Sequence, residues 1–192
     1  MDPINILAGI NLIASFGANL TGAKKGLRSS ITSYKEKPKT YLQKFPLFLA
    51  VITLIAFVFG LFRVGTFQYT SANQGIRILG LLVYIIFSWV QIWSYKSLGE
   101  SYSQEIIVMN NHKLITAGPY RIIRHPQYLS QVLMDLGAGL ATLSYIVIPL
   151  ALIEIPFAIM RALTEEKLLS KHLKDAYKNY KSKSGFMIPF IG

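Results

Sequence analysis

Cysteine is absent from the 192 residues, which excludes disulfides, thiolate nucleophiles and cysteine-ligated zinc. Histidine is scarce, at three residues. His112 and His125 have no third histidine or cysteine close by and no tight spacing, so no metal site is expected. Acidic residues are few, 9 against 20 Lys and Arg, for a net charge of +11. Such an excess can serve nucleic acid, but here the positive charge sits between apolar runs, as in the cytoplasmic loops of membrane proteins. No nucleic-acid partner is expected. The N-terminus carries Asp2 and no basic run, so no cleaved signal peptide is expected. Internal repeats and low-complexity tracts are also missing.

What the chain has in abundance is apolar surface. It is 52% hydrophobic with a positive mean hydropathy, which suits a small polytopic membrane protein. The expected fold is all-α, a helical bundle of about five transmembrane helices followed by a C-terminal amphipathic helix. The spans fall at 3–21, 45–62, 76–95, 128–143 and 145–163. In the first, Ala14, Ala18 and Gly22 recur every fourth residue and offer a close-packing face, while Asn5 and Asn11 weaken its hydropathy. Trp89, Trp93 and Tyr95 form an interfacial belt on the third. Only Ser144 separates the last two, which implies a tight hairpin. Residues 164–184 place Leu168, Leu169, Leu173, Ala176, Tyr177 and Tyr180 on one helical face. Gly185 ends that helix, and 186–191 is an apolar tail expected to tuck against the bundle. The chain divides into 1–95, three helices with a basic connector, and 96–192, which holds the chemistry.

Charge placement orients the bundle. The stretches 22–44, 96–127 and 161–184 hold 18 of the 20 Lys and Arg, and Arg63 and Arg77 fall in the opposite connector. With five spans this puts the N-terminus outside and the polar chemistry on the cytoplasmic side.

That chemistry centres on residues 112–128, a polar-rich stretch between two apolar segments. Gly118-Pro119 calls for a turn, since Gly accepts positive φ and Pro fixes its own. Pro126 drives His125 out of helical geometry, so Arg124-His125 closes a loop before the next helix begins. Within the spans, Asp135 and Glu154 are costly carboxylates that need a partner or a wet cavity. They are either a pocket wall contacting substrate or a structural pair inside the bundle. Arg161 lies seven residues after Glu154 and four before Glu165, so the three share a helix face. Its planar fork suits a carboxylate or phosphate, or a salt bridge to Glu165. Pro156 predicts a kink between Glu154 and Arg161. The run Asp135-Leu136-Gly137-Ala138-Gly139-Leu140 imitates a nucleotide-binding glycine loop, but Thr142 holds the third-glycine position and no strand precedes it. Close helix packing explains those glycines better.

Taken in order, His112-Lys113-Leu114-Ile115, Thr116-Ala117-Gly118-Pro119-Tyr120, Arg124-His125-Pro126-Gln127-Tyr128, Arg161, Glu165-Glu166, Tyr177, Tyr180 and Pro189-Phe190-Ile191 resemble the isoprenylcysteine carboxyl methyltransferase family. That family lies within the wider group of membrane phospholipid methyltransferases. The resemblance covers 96–192. It implies a membrane enzyme that uses S-adenosyl-L-methionine without a Rossmann domain. His112, Lys113, Leu114, Ile115, Tyr120, His125, Pro126, Gln127, Tyr128 and Glu165 would surround the cofactor, with Gln104 or Glu105 a further contact. Arg161, with Glu154 on the same face, would hold a lipophilic or lipidated acceptor, most simply the carboxylate of a prenylcysteine. Arg161 and Glu165 are the catalytic candidates. Where the family often has Phe-Gly, this chain has Leu173-Lys174, which bears on the shape of the C-terminal helix. An amine acceptor, as in a phospholipid N-methyltransferase, would need a base. A non-catalytic membrane scaffold and a nicotinamide-dependent lipid reductase are the readings from other classes.

Overall fold

The structure is a computed structural model and describes residues 2–29, 34–110, 113–189 and 191. Five α-helices account for most of the chain: α1 (Pro3–Ser29), α2 (Phe45–Leu61), α3 (Gln74–Leu98), α4 (Pro126–Thr142) and α5 (Val147–Lys181). Two short strands, β1 (Tyr34–Glu36) and β2 (Val108–Met109), pair antiparallel outside the bundle. Among the described residues three segments are long and apolar enough to cross a membrane: Tyr41–Leu61, Ser71–Leu98 and Val147–Lys181. The apolar part of α1, Pro3–Ala18, and the 17-residue α4 are shorter.

The helices start where the sequence lets them. Asp2 caps α1, its Oδ1 accepting from the backbone N–H of Ile4 at 3.1 Å and of Asn5 at 3.2 Å. Pro126 opens α4 at the position where its missing N–H costs nothing, and His125 before it stands at φ −126°, ψ 55°. Leu143 stops α4 in the left-handed region at φ 48°, and Ser144 then accepts at Oγ from the N–H of Val147 at 3.1 Å to start α5. The hairpin expected from Ser144 is present.

Packing centres on α3 and α4. A Cβ added at Gly137 would sit 2.5 Å from the Tyr84 backbone nitrogen, and one at Gly80 would sit 2.5 Å from that of Ala141. The two backbones therefore touch, and the glycine run 137–139 serves helix packing as the sequence suggested. The face of α1 that packs differs from expectation. Ala14 is exposed, and Asn5, Ala8, Asn11 and Ser15 are buried instead. In an apolar medium the amides gain by bonding across helices. Asn11 Nδ2 donates to Ser88 Oγ at 2.9 Å and Asn5 Nδ2 donates to the Leu61 carbonyl at 2.9 Å. Arg77, also buried, holds Asp2 at 2.5 Å and stacks over Tyr69 at 3.5 Å.

α5 is longer than its apolar part. Beyond Leu163 the sequence turns polar at Thr164-Glu165-Glu166-Lys167, and the helix continues out of the apolar zone. Its one non-helical residue is not Pro156 but Lys174, at φ 42°, ψ −117°. That conformation suits glycine, and it falls at the position where the family often has one. The break resets the helical phase, so Ala176 is exposed although it was expected on the packed face. The C-terminal tail is anchored as anticipated, with Arg124 N–H donating to the Gly185 carbonyl at 2.8 Å and His125 N–H to that of Phe186 at 3.1 Å. The Arg124 guanidinium meets Glu166 Oε1 at 2.5 Å, with 1% and 6% of the two side chains exposed, and it also donates to the Ser184 carbonyl.

Two consequences are measurable by thermal unfolding in detergent. Lys174→Gly relieves the positive-φ lysine and raises stability by about 1 kcal/mol, whereas Lys174→Pro, which cannot adopt positive φ, lowers it. Glu166→Gln leaves Arg124 buried without its counter-charge and costs about 3 kcal/mol. Burial alone would raise the Glu166 carboxyl; Lys181, Arg124 and the nearby His125 ring overcome it and hold it down, from 4.5 to about 2. A depressed carboxyl stabilises the fold fully above 4.5 and loses that contribution as the pH falls toward 2. Wild type therefore loses more stability than Glu166→Gln across that window.

Candidate active site

The polar loop 99–125, the start of α4 and the outer part of α5 enclose one cavity. Lys113, Leu114, Ile115, Tyr120, His125, Gln127, Tyr128 and Glu165, all expected around a cofactor, line it together. The cavity is open to solvent at its mouth. Pro126 does not line the cavity but starts the helix that supplies Gln127 and Tyr128. His112 lies outside the described residues. Gly118 takes φ 60° in the turn, as its pairing with Pro119 required, and that turn delivers Tyr120 to the cavity.

The cavity wall is chemically unsatisfied. Among the described residues Tyr120 Oη, Tyr177 Oη and Gln127 Nε2 are buried with no hydrogen-bond partner, and all three residues line this one space. Burial pushes both phenols up, so they remain neutral donors near pH 7. His125 Nε2 is likewise buried and unbonded, although it lies 3.4 Å from Glu166 Oε1. Its Nδ1 is 3.8 Å from Glu165 Oε2, and the ring stacks near Tyr128 at 5.8 Å. Buried donors without partners are costly unless a ligand supplies acceptors. A ligand rich in oxygen and nitrogen acceptors and bearing a cation near Glu165 fits this donor set.

A second cavity adjoins the first and shares Ser103, Gln127 and Tyr128 with it. Its inner walls are apolar, from Leu47, Leu49 and Ala50 of α2 to Val132, Phe157 and Ala158. Arg161, Gln104 and Glu154 line it rather than the first. Arg161 Nε donates to Tyr128 Oη at 2.9 Å, and Tyr128 Oη donates to Glu165 Oε1. Arg161 also donates through Nη1 to the Leu42 carbonyl at 3.5 Å and through Nη2 to that of Gln104. The two catalytic candidates thus bracket one tyrosine where the cavities meet. Deeper in, Gln91 Nε2 donates to Gln131, Gln131 Nε2 donates to Asp135 at 2.6 Å, and Thr53 Oγ1 donates to Glu154 Oε1 at 3.3 Å. Asp135 belongs to that structural network; Glu154 joins it while also lining the second cavity.

Several site features escaped the sequence. Tyr177 and Tyr180, which the sequence put on a packed helix face and among the resemblance motifs without a site role, line the first cavity, as do Ser101 and Ser103, which it did not single out. The connector before α2 is a strap across the outside. Glu36 accepts from Lys171 Nζ and meets His172 Nε2, each at 2.7 Å, and Lys37 Nζ meets Glu105 at 2.6 Å. Gln43 bonds Ile106 in both directions, at 2.9 and 3.0 Å. The strap joins the loop carrying Glu105 to α5. The acid in a basic run, Glu36, was the one available signal.

Known proteins are similar to this chain in sequence and fold. A protein-S-isoprenylcysteine O-methyltransferase of Saccharomyces cerevisiae is 30% identical over 132 residues, which cover 65% of this chain and 54% of that protein. One of Schizosaccharomyces pombe is 25% identical over 151 residues, covering 77% and 56%. The chain therefore spans about half the length of the curated relatives it matches. The solved eukaryotic intramembrane Ras methyltransferase, isoprenylcysteine carboxyl methyltransferase, superposes with a TM-score of 0.62 at 21% identity, covering 100% of this chain and 69% of its own. The pattern of the phospholipid methyltransferase family matches residues 76–176, which is more than half of the chain, and the protein belongs to that family.

Proposed function

We propose that this chain is an integral-membrane methyltransferase that takes its methyl group from S-adenosyl-L-methionine and delivers it to a lipophilic acceptor carrying a carboxylate, such as a prenylcysteine. The observation that carries the reading is the junction of a polar cavity with a largely apolar one at Gln127 and Tyr128, bracketed by Arg161 and Glu165. The cofactor supplies a methyl already activated by its positive sulfonium, so alignment is the protein's main task. Lys113 through Ile115, Tyr120, His125, Gln127 and Tyr128 hold the donor on this reading, and Glu165 faces its cation. Arg161 positions the acceptor. Three of its five N–H groups are used by Tyr128, Leu42 and Gln104, which leaves one on each terminal nitrogen. Two parallel N–H groups match the two oxygens of a carboxylate. A carboxylate is a ready nucleophile at neutral pH and needs no base.

Both cavities are lined in part by residues of the loop between α3 and α4, one of the Lys- and Arg-rich stretches, and on the positive-inside rule we read an active site facing the cytoplasm and an N-terminus outside. A second reading draws on the family match itself: a phospholipid amine as acceptor, with Glu165 taking its proton. The partners are then membrane lipids rather than a lipidated acceptor.

Titration calorimetry of the detergent-purified chain with S-adenosylhomocysteine tests the donor half. Binding by wild type, with His125→Ala and Glu165→Ala each weakened at least tenfold, is expected; wild-type affinity in both variants overturns it. Labelled methyl donor added to membranes with prenylcysteine or phosphatidylethanolamine separates the acceptors. For the carboxylate, Arg161→Lys lowers kcat/KM about 100-fold, since an ammonium lacks the planar fork, while S-adenosylhomocysteine affinity stays within about twofold.

A further inference from the structure

Two tyrosines at the end of α5 stand side by side with ring centroids 6.0 Å apart, and the fold treats their hydroxyls differently. Tyr180 Oη donates to the Tyr120 carbonyl at 2.6 Å. Tyr177 is more deeply buried, at 1% exposure, yet its Oη has no partner among the described residues. For packing alone a phenylalanine would fill the same space without stranding a hydroxyl. The break at Lys174 is what sets the phase of this last segment, so that Tyr177 lines the first cavity.

The surroundings narrow what that hydroxyl can meet. Glu165 and Glu166 are its acidic neighbours, and Glu166 already engages Arg124 and Lys181. Arg124 is a neighbour too, but its charge is taken up by Glu166, so the acidic pair still disfavours a ligand carboxylate there and the corner suits a neutral group with acceptor atoms. In a nucleoside sulfonium the neutral acceptors are the ribose oxygens and the base nitrogens, while the carboxylate belongs to the amino-acid end. We propose that Tyr177 is a cofactor-binding residue whose hydroxyl donates to the adenosine portion of the methyl donor. The proposal rests on the cofactor reading of the first cavity and adds to it a residue on the far side of the Lys174 break.

The test is calorimetry on the full chain in detergent with two probes, S-adenosylhomocysteine and 5′-methylthioadenosine, the second lacking the amino-acid end. Tyr177→Phe is expected to weaken both by the same factor, about tenfold, while the melting temperature of the ligand-free protein stays the same or rises. Equal affinity of Tyr177→Phe and wild type for both probes overturns it. So does a loss confined to S-adenosylhomocysteine, which would place the hydroxyl at the amino-acid end. A fall of several degrees in the ligand-free melting temperature also overturns it, since the hydroxyl would then serve the fold. If wild type binds neither probe, the cofactor reading fails, and that result is distinct from failure of the Tyr177 assignment.

Discussion

A polar group shut away from water must find a partner, and this bundle is arranged around that constraint. Across the apolar segments the solution is pairing between helices. Asn5 reaches the carbonyl end of α2, Asn11 joins Ser88, and Arg77 gathers Asp2, Asn5 and the Ala141 carbonyl. Gln91, Gln131 and Asp135 form one line of hydrogen bonds through the interior. Among the described residues Tyr84 Oη in the interior also lacks a partner, but the unpaired donors at Tyr120, Gln127 and Tyr177 are clustered. They come from three places in the sequence and meet in one cavity. Such a cluster of open donors is where a ligand can supply acceptors.

The part of the cavity wall that lies between α3 and α4 is mostly loop, so side chains have to hold it to the helices. Arg124 does so from inside: it joins the loop before α4 to Glu166 of α5 and to the carbonyls of Lys181 and Ser184. The strap does so from outside, tying Glu105 and Ile106 through Lys37 and Gln43, and α5 through Glu36. The inner fastening is buried and the outer one is partly exposed, at 34% for the Glu36 side chain. Buried charge pairs depend on geometry and lose heavily when one member goes, whereas exposed pairs contribute little each. The inner pair therefore fixes the shape of the site, and the outer contacts act together with the β1–β2 pairing.

Backbone chemistry made much of this legible in the sequence. Glycine and proline carry their conformations with them, so the turn at Gly118 and the start of α4 at Pro126 could be read directly. Long apolar runs likewise announced five helices, and the glycines of 137–139 announced close helix packing, which Gly137 makes with α3 and Gly139 with the start of α5. What stayed hidden depends on partners distant in the chain. Asn5 and Asn11 lower the hydropathy of α1 and looked like weaknesses, because their bonds lie 55 or more residues away. The break at Lys174 was invisible because lysine has no preference for positive φ; only the missing glycine of the family pattern hinted at it. Glu36 pairs across 135 residues with Lys171, beyond any local pattern.

The adjacent acids of α5 show how one helix can serve both tasks. Consecutive residues on a helix point about 100° apart, whereas residues four apart share a face. Arg161 and Glu165 therefore look the same way, toward Tyr128 and the junction of the cavities, 4.0 Å from each other. Glu166 looks toward Arg124, and its neighbours consume both of its oxygens. Glu165 keeps 28% of its side chain exposed, and a carboxylate with free capacity at a cavity wall can still answer a cation. Exchanging the two roles would require turning α5 by a quarter of a revolution, and the Arg124 pair forbids it. The pair that fixes the fold thereby also fixes which carboxylate faces the ligand.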